Sequence, residues 1–345
     1  MKRLLLIIKA GVSIGLIAVL LTRTDLAKTG QVLRTGALEL FVAAFALIWL
    51  THLAQVMRWH YLMLAAGKKY SLVDYVRTLT RNNQDSVRFG QLFRFHLIAN
   101  FWQLFLPSSA GADVVKGYLS VRHGGLGAVS VSSIIVGRVL GVACILGLAL
   151  TALVFVDDPA TRTQIMRNPV LLALIALCAA GAAALMFQKK LRTLRNPLFA
   201  RVTALRIWPS LRTVAASFVG YSRHPEALAG GLLISVVVYA CMILTSYAVF
   251  AGLGWTADPA LFTIYVPVIY LLTTLPISFN GIGFREALFA FFLGEHGCTS
   301  EHIAGYAVVG YTMILLVGIV GGLIGLANKK AVQEMTHAAP PPSPT

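Results

Sequence analysis

Two short strings hold most of the residues able to do chemistry. Leu106–Lys116 reads L-P-S-S-A-G-A-D-V-V-K, and Leu275–Arg285 reads L-P-I-S-F-N-G-I-G-F-R. Both carry L-P-x-S, helix-breaking glycines and a cation nine positions after the proline, and Pro107 and Pro276 stand 169 positions apart. Proline and glycine after a helix end free backbone groups, and the helix that follows offers unpaired N–H groups and the positive end of its dipole. Ser109 and Ser278 add hydroxyl donors, and Lys116 and Arg285 add full charge about two turns into the next helix. An anion, and phosphate in particular, is the ligand such a set would hold.

Arg138 belongs to the same problem. It lies about ten residues into the apolar run 129–156, where an isolated cation costs about 3 kcal/mol, and no acid is near it in sequence. Its counter-charge is either a carboxylate across the bundle, Asp113 or Glu286, or the phosphate of a ligand. Asp113 could instead pair locally with Lys116, three residues on, and Glu286, beside Arg285, is expected to face elsewhere on its helix. Asn100 and Gln103 interrupt a short apolar stretch and either line a polar cavity or bond between helices. The expected ligand-binding set is therefore Asn100, Pro107, Ser109, Gly111, Asp113, Lys116 and Arg138 from the first half, with Pro276, Ser278, Asn280, Gly281, Gly283, Arg285 and Glu286 from the second.

Other polar residues read more simply. Arg58, with Gln55, Trp59 and His60, is expected at a membrane boundary, its guanidinium snorkelling to headgroups. Arg81–Asp85 with Arg88, Phe89, Gln91 and Arg94 forms a loop that gathers headgroups or is simply solvated. Glu295, His296, Cys298, Glu301 and His302 crowd together but lack the H-E-x-x-H spacing of a zinc site. Cys144, Cys178, Cys241 and Cys298 show no C-x-x-C spacing and read as packing residues. No nucleophile elbow, Walker loop or dinucleotide fingerprint is present, so no catalytic residue, metal or cofactor is assigned.

The elements that position these residues must lie in a membrane. Of the residues 57% are hydrophobic and only 12% charged, and the mean hydropathy is +0.77, values that no water-soluble domain shows. Runs at roughly 4–22, 38–66, 129–156, 169–187, 227–253 and 303–327 are long enough to cross the bilayer, and none alternates as a barrel strand would. An all-α, polytopic helical bundle follows, because in lipid the backbone must satisfy its own hydrogen bonds. The segments 93–106 and 262–275 are about 21 Å long as helices, short for a crossing. They are expected to form two re-entrant helical hairpins, at about 89–121 and 262–297, entering from opposite faces as inverted repeats; ordinary proline-kinked spans are the alternative.

The segment 188–226 carries eight cations against Glu226 and is placed in the cytoplasm as a basic amphipathic stretch on the anionic leaflet. Lys329 and Lys330 put the C-terminus there, and tracing back puts the N-terminus there as well. Positive-inside topology accounts for the net charge of +16, which removes the case for a nucleic-acid partner. Lys9 interrupts the first apolar run, which is read as a retained span rather than a signal peptide. Residues 1–330 are expected to form the membrane domain and 331–345 a disordered, proline-rich tail.

The strings Asn100–Pro107 (N-F-W-Q-L-F-L-P), Gly111–Lys116 (G-A-D-V-V-K), Gly137-Arg138 and Pro276–Glu286 (P-I-S-F-N-G-I-G-F-R-E) together resemble the lysylphosphatidylglycerol synthase transmembrane, or flippase-like, family. The likeness runs over roughly 5–330, and the last string is its most specific part. It implies movement of a lipid such as aminoacylated phosphatidylglycerol, or of a hopanoid or polyprenyl-linked lipid, across the bacterial inner membrane. The family more usually has Arg where Lys116 stands and an acid–arginine pair where Gly137-Arg138 stands, which points to a different substrate or to ligand pairing at Arg138. No aminoacyl-transferase domain follows the last span, so synthase activity is not implied. The expected function is flipping of an anionic lipid headgroup. The alternatives are an accessory subunit of a membrane glycosyl- or aminoacyl-transferase, with a lipid-synthesis enzyme as partner, and a lipid-modifying membrane enzyme.

Overall fold

The computed structural model describes residues 2–80, 89–106, 111–124, 127–156, 159–168, 172, 220–221, 224–275 and 277–327. Every regular element among them is helical: α1 (Lys2–Thr22), α2 (Leu26–Arg34), α3 (Leu38–Ala65), α4 (Leu72–Thr80), α5 (Phe89–Gln103), α6 (Gly111–Gly124), α7 (Gly127–Val154), α8 (Pro159–Arg167), α9 (Pro225–Gly252), α10 (Pro259–Leu272), α11 (Phe284–Leu293), a 3-10 turn at Gly294–His296, and α12 (Ser300–Ala327). Among the described residues four helices are long and apolar enough to cross a membrane: α3, α9, α12 and α7 from Val129 onward. At 28 residues α3, α7, α9 and α12 reach about 42 Å, ample for about 30 Å of hydrocarbon. Gly11–Thr22 of α1 and all of α10 are shorter apolar helices. All but residue 172 of the expected span at 169–187, the polar run 81–88, most of the basic segment 188–226 and the tail 331–345 lie outside the described residues.

Local sequence sets the helix limits. Asp25 caps α2 by accepting from the N–H groups of Ala27 (2.9 Å) and Lys28 (3.1 Å). Asp258 accepts from Ala260 N–H at 2.8 Å ahead of Pro259, the first residue of α10. Ser71 and Asp74 form a reciprocal box at the start of α4: Asp74 N–H donates to Ser71 Oγ (3.2 Å) and Ser71 N–H to the Asp74 carboxylate (3.0 Å). Those Ser71 donors hold the Asp74 carboxyl below its ordinary range.

With the short helices α4 and α8 set aside, an order of long, short, short, long occurs twice among the described residues. Long α3, short α5, a break, short α6 and long α7 are followed by long α9, short α10, a break, short α11 and long α12. The principal contacts follow that order. α3 packs on α9; α5 packs on α12 as α10 packs on α7; α3 packs on α7 as α9 packs on α12; and α6 packs on α7 as α11 packs on α12. The remaining contacts pair likewise: α5 on α6 with α10 on α11, α3 on α5 with α9 on α10, and α7 on α9 with α12 on α3. Exchanging the two sets leaves this pattern of neighbours unchanged. α1 and α2 stand apart from it, α1 against α11 and α12, and α2 against α12.

Glycines let the helices close up, as lipid, itself apolar, provides little hydrophobic drive between them. Gly230 and Gly231 of α9 face Tyr61 and Leu62 of α3, and the Tyr61 hydroxyl sits 3.0 and 3.1 Å from the carbonyls of Tyr70 and Glu226. On α12, Gly318, Gly321 and Gly322 face Leu104, Leu97 and Phe101. Around Phe250, a buried aromatic group forms with Phe262, Phe289 and Tyr306, the last stacked at 4.6 Å. The outer faces are apolar too, with Leu315, Leu316, Ile319, Leu323 and Leu326 exposed along α12, as expected of a surface bathed in lipid.

A Cβ at Gly321 would stand 2.0 Å from the Leu97 carbonyl oxygen, whereas one at Gly310 of the same helix meets nothing within 4 Å. Gly321→Ala should therefore force α5 from α12 and cost about 2 kcal/mol, while Gly310→Ala should be neutral or stabilising. Thermal unfolding of the two purified variants in detergent tests this; equal midpoints would contradict the packing.

Candidate functional site

Around Asp113 the structure gathers charge from three helices. Asp113 lies in the first turn of α6, where the helix dipole favours a carboxylate. Lys116, one turn on, places Nζ 2.6 Å from Asp113 Oδ1, and Arg138 of α7 donates from Nε to Oδ2 at 2.5 Å. The two readings offered for Asp113 thus hold together: it pairs with Lys116 locally and with Arg138 of α7. Glu286 is not the partner of Arg138. The Lys116 ammonium also stands 5.9 Å from the ring centre of Trp59.

Arg58 corrects the sequence reading. It does not leave the bundle for a headgroup layer. It is half-buried between α3, α7 and α9, where Nη1 donates to Ser235 Oγ at 3.1 Å. Its guanidinium lies across α7 at Gly137 and Gly141, where an added Cβ would come within 3.5 Å of Nε and 3.6 Å of Nη1. It bonds Tyr239 and is within electrostatic reach of Asp113. Among the described residues, three cations, Arg58, Lys116 and Arg138, thus share one carboxylate.

This group opens on a cavity of about 770 Å³ between α6 and α7. Asp113, Arg122 and Arg138 line it, and Val114, Val121, Val131, Ile134 and Ile135 supply apolar walls. Val114, Val121 and Val131 are exposed, so the cavity faces outward to lipid, and Arg138, 44% exposed, reaches it. A smaller cavity of about 250 Å³ between α5 and α12 is walled by residues such as Ile98, Phe101 and Leu323 and holds no charged side chain.

The second string forms a tighter group. Asn280, Gly281 and Gly283 take positive φ values of 51°, 78° and 79°, which lets the chain turn into α11 at the end of the connection from α10. Arg285 is the second residue of α11, so its charge sits at the helix start rather than two turns in. Glu286 does not face away from it: Arg285 Nε donates to Oε1 at 3.1 Å, while Oε2 accepts from Gly283 N–H (2.8 Å) and from the Tyr311 hydroxyl (3.0 Å). Arg285 Cζ lies 4.7 Å from the centre of the Tyr311 ring. Arg285 and Ser278 are 9% and 2% exposed, and Arg285 Nη2 and Ser278 Oγ have no hydrogen-bond partner among the described residues.

α1 covers this turn. Phe279 N–H donates to Ser13 Oγ at 2.8 Å, and a Cβ on Gly283 would stand 2.9 Å from both Ser13 O and Leu16 Cβ. The end of α5, ahead of the first string, reaches the second where Gln103 Nε2 donates to Asn280 Oδ1 at 3.4 Å. Asn100 turns instead to its own helix, donating from Nδ2 to the His96 carbonyl at 2.8 Å. Gly111 starts α6 against Leu106. Pro107, Ser109 and Pro276 lie outside the described residues. Among the described residues no three potential metal ligands converge, and His302 bonds Thr299 Oγ1 at 2.9 Å. Cys144, Cys241 and Cys298 are buried free thiols.

Removing only the carboxylate of Glu286 would leave a buried guanidinium uncompensated. Glu286→Gln should cost about 3 kcal/mol, and the paired change Arg285→Met with Glu286→Leu should recover most of that loss. Comparing thermal midpoints of the single and double variants decides it; a double variant no more stable than Glu286→Gln would argue against the pairing.

No curated protein and no solved structure matches the chain significantly. The family model of the lysylphosphatidylglycerol synthase TM region matches residues 6–322. That match takes in both charged groups, the apolar cavity and nearly all of α1–α12, and the chain belongs to this family of membrane proteins of lipid metabolism.

Proposed function

We propose that the chain moves an anionic lipid headgroup between leaflets of the bacterial inner membrane. The observation that carries this reading is the Arg58–Lys116–Arg138 group around the Asp113 carboxylate, at the edge of a largely apolar cavity of about 770 Å³. In a bilayer such a charge surplus is costly until an anion offsets it. A phosphodiester supplies that anion, and its acyl or isoprenoid tail finds the apolar wall of Val114, Val121, Ile134 and Ile135. Lys116 contributes a point charge, and Arg138 a planar donor set whose Nη atoms remain for phosphate while Nε holds Asp113.

The packing order supports an inverted-repeat reading, in which α5 with α6 and α10 with α11 form re-entrant hairpins from opposite faces. The first hairpin is open to lipid and carries surplus charge; the second is covered by α1 and balanced internally. That difference suits a transporter caught with one side accessible. Both termini are assigned to the cytoplasm from the distribution of Lys and Arg.

In proteoliposomes, the full chain should accelerate leaflet exchange of fluorescent phosphatidylglycerol, read by dithionite quenching. Lys116→Gln, which leaves Arg138 on Asp113, should slow that exchange at least tenfold while the protein still inserts and folds. Wild-type rates equal to those of protein-free vesicles would refute the reading.

A further inference from the structure

Two histidines that the charged groups do not use face each other near the middle of a helix long enough to cross a membrane. His52 lies near the middle of α3, about 20 Å from either end. Its Nδ1 is 2.9 Å from Nε2 of His96 on α5, and the ring centroids are 5.1 Å apart. His96 is 3% exposed and His52 half-buried, with Trp49 edge-on to the His52 ring at 6.5 Å. From α6, Lys116 is within electrostatic reach of both rings. From α7, Arg138 shares the carboxylate that holds Lys116. α12, which packs on α5, meets it with Gly318, Gly321 and Gly322 and brings no charged side chain to the pair among the described residues.

The nitrogen–nitrogen contact fixes how many protons the pair can hold. One ring must donate across it and the other accept. In the neutral pair the donating ring keeps a lone pair on its outer nitrogen, so one further proton can be added there with the bridge intact. A second would have to occupy the bridging lone pair and break the contact. The pair therefore changes by a single charge, beside a cluster that is already positive. A proton added while that cluster is empty enlarges its surplus; a proton added beside a bound monoanion restores neutrality.

We propose that the His52–His96 pair is a proton site coupled to headgroup occupancy at Lys116 and Arg138, so that one proton accompanies each anionic lipid. The proposal rests on the anion-site reading above. The proton comes from the water of the compartment to which the site is open, sits on the outer ring nitrogen, and leaves with the lipid on the other side. Because the coupling is reciprocal, each ligand strengthens the binding of the other. The cargo, a monoanionic phosphodiester plus a proton, then carries no net charge, and a pH gradient rather than the membrane potential drives it.

The test is proton uptake by the purified full chain in weakly buffered detergent, read with a pH indicator as dihexanoyl phosphatidylglycerol is added. The expected result is uptake approaching one proton per bound lipid in the wild type. The double variant His52→Gln with His96→Asn, in which two amides can keep the contact but no imidazole remains, should bind the lipid within about threefold of wild type at high pH, where the pair carries no extra proton, with that uptake lost at every pH. The wild type alone gives a second measure that needs no folded variant: lipid affinity should strengthen as pH falls, by up to tenfold per unit. Binding without proton uptake, or an affinity flat with pH, overturns the coupling and leaves the anion site standing. Absence of lipid binding at every pH overturns both.

Discussion

The constraint on which the rest depends is a shortage of negative charge inside a low-dielectric bundle. Asp113 gives one carboxylate oxygen to Lys116 and the other to Arg138, and Arg58 adds a third cation within reach. Unit charges about 4 Å apart at an effective dielectric of about 20 interact by about 4 kcal/mol. One carboxylate therefore cannot offset three cations that also repel one another. A fold that keeps such a group at membrane depth either admits water to it or admits an anion. The apolar cavity walls are why the proposed anion is one that brings its own hydrocarbon.

That group exists because helices approach closely at chosen places. Gly137 and Gly141 remove side chains from the face of α7 that Arg58 crosses, and Gly231 brings α9 near Leu62 and Leu140. The second string shows the same principle in a turn. Gly281 and Gly283, at positive φ, let α11 begin at once, and its first free N–H groups are met by the Glu286 carboxylate and the main chain. Small residues thus perform two tasks: they let a guanidinium lie flat on a helix, and they let a helix start where no side chain could turn.

The membrane setting, the helical bundle and the paired strings were legible from composition, run lengths and spacing, because hydropathy and proline–glycine chemistry act locally. Asp113, Lys116 and Arg138 were legible as a set, since a cation in an apolar run demands a partner and few acids are available. Arg58 was not. Its distance from the end of the apolar run suggested a boundary residue, and only the approach of α7 and α9 turns it inward. The glycines at 137 and 141, four apart, were the signal that a large side chain would cross there. The Arg285–Glu286 contact was missed because residues adjacent in a helix normally diverge; at a helix start, Glu286 folds back to the Gly283 N–H and brings its other oxygen to Arg285. Tyr311 and Ser13 act on the second string from remote parts of the chain, and no local pattern announces them.

The two halves share an order of helices and a pattern of neighbours, yet their charged groups are in unlike states. The first has surplus cations and a cavity open to lipid. The second has a balanced pair, a tyrosine over the guanidinium, and α1 seated on its turn by the Ser13–Phe279 hydrogen bond and the contact at Gly283. For the second group to accept an anion, α1 must move and Arg285 must turn its unpartnered Nη2 outward from a site where Ser278 Oγ also lacks a partner. A hydrogen bond contributes only about 1 kcal/mol net, and buried donors without acceptors cost a comparable amount each. Two such donors on one covered turn are a cost that the proposed headgroup would remove by accepting from both.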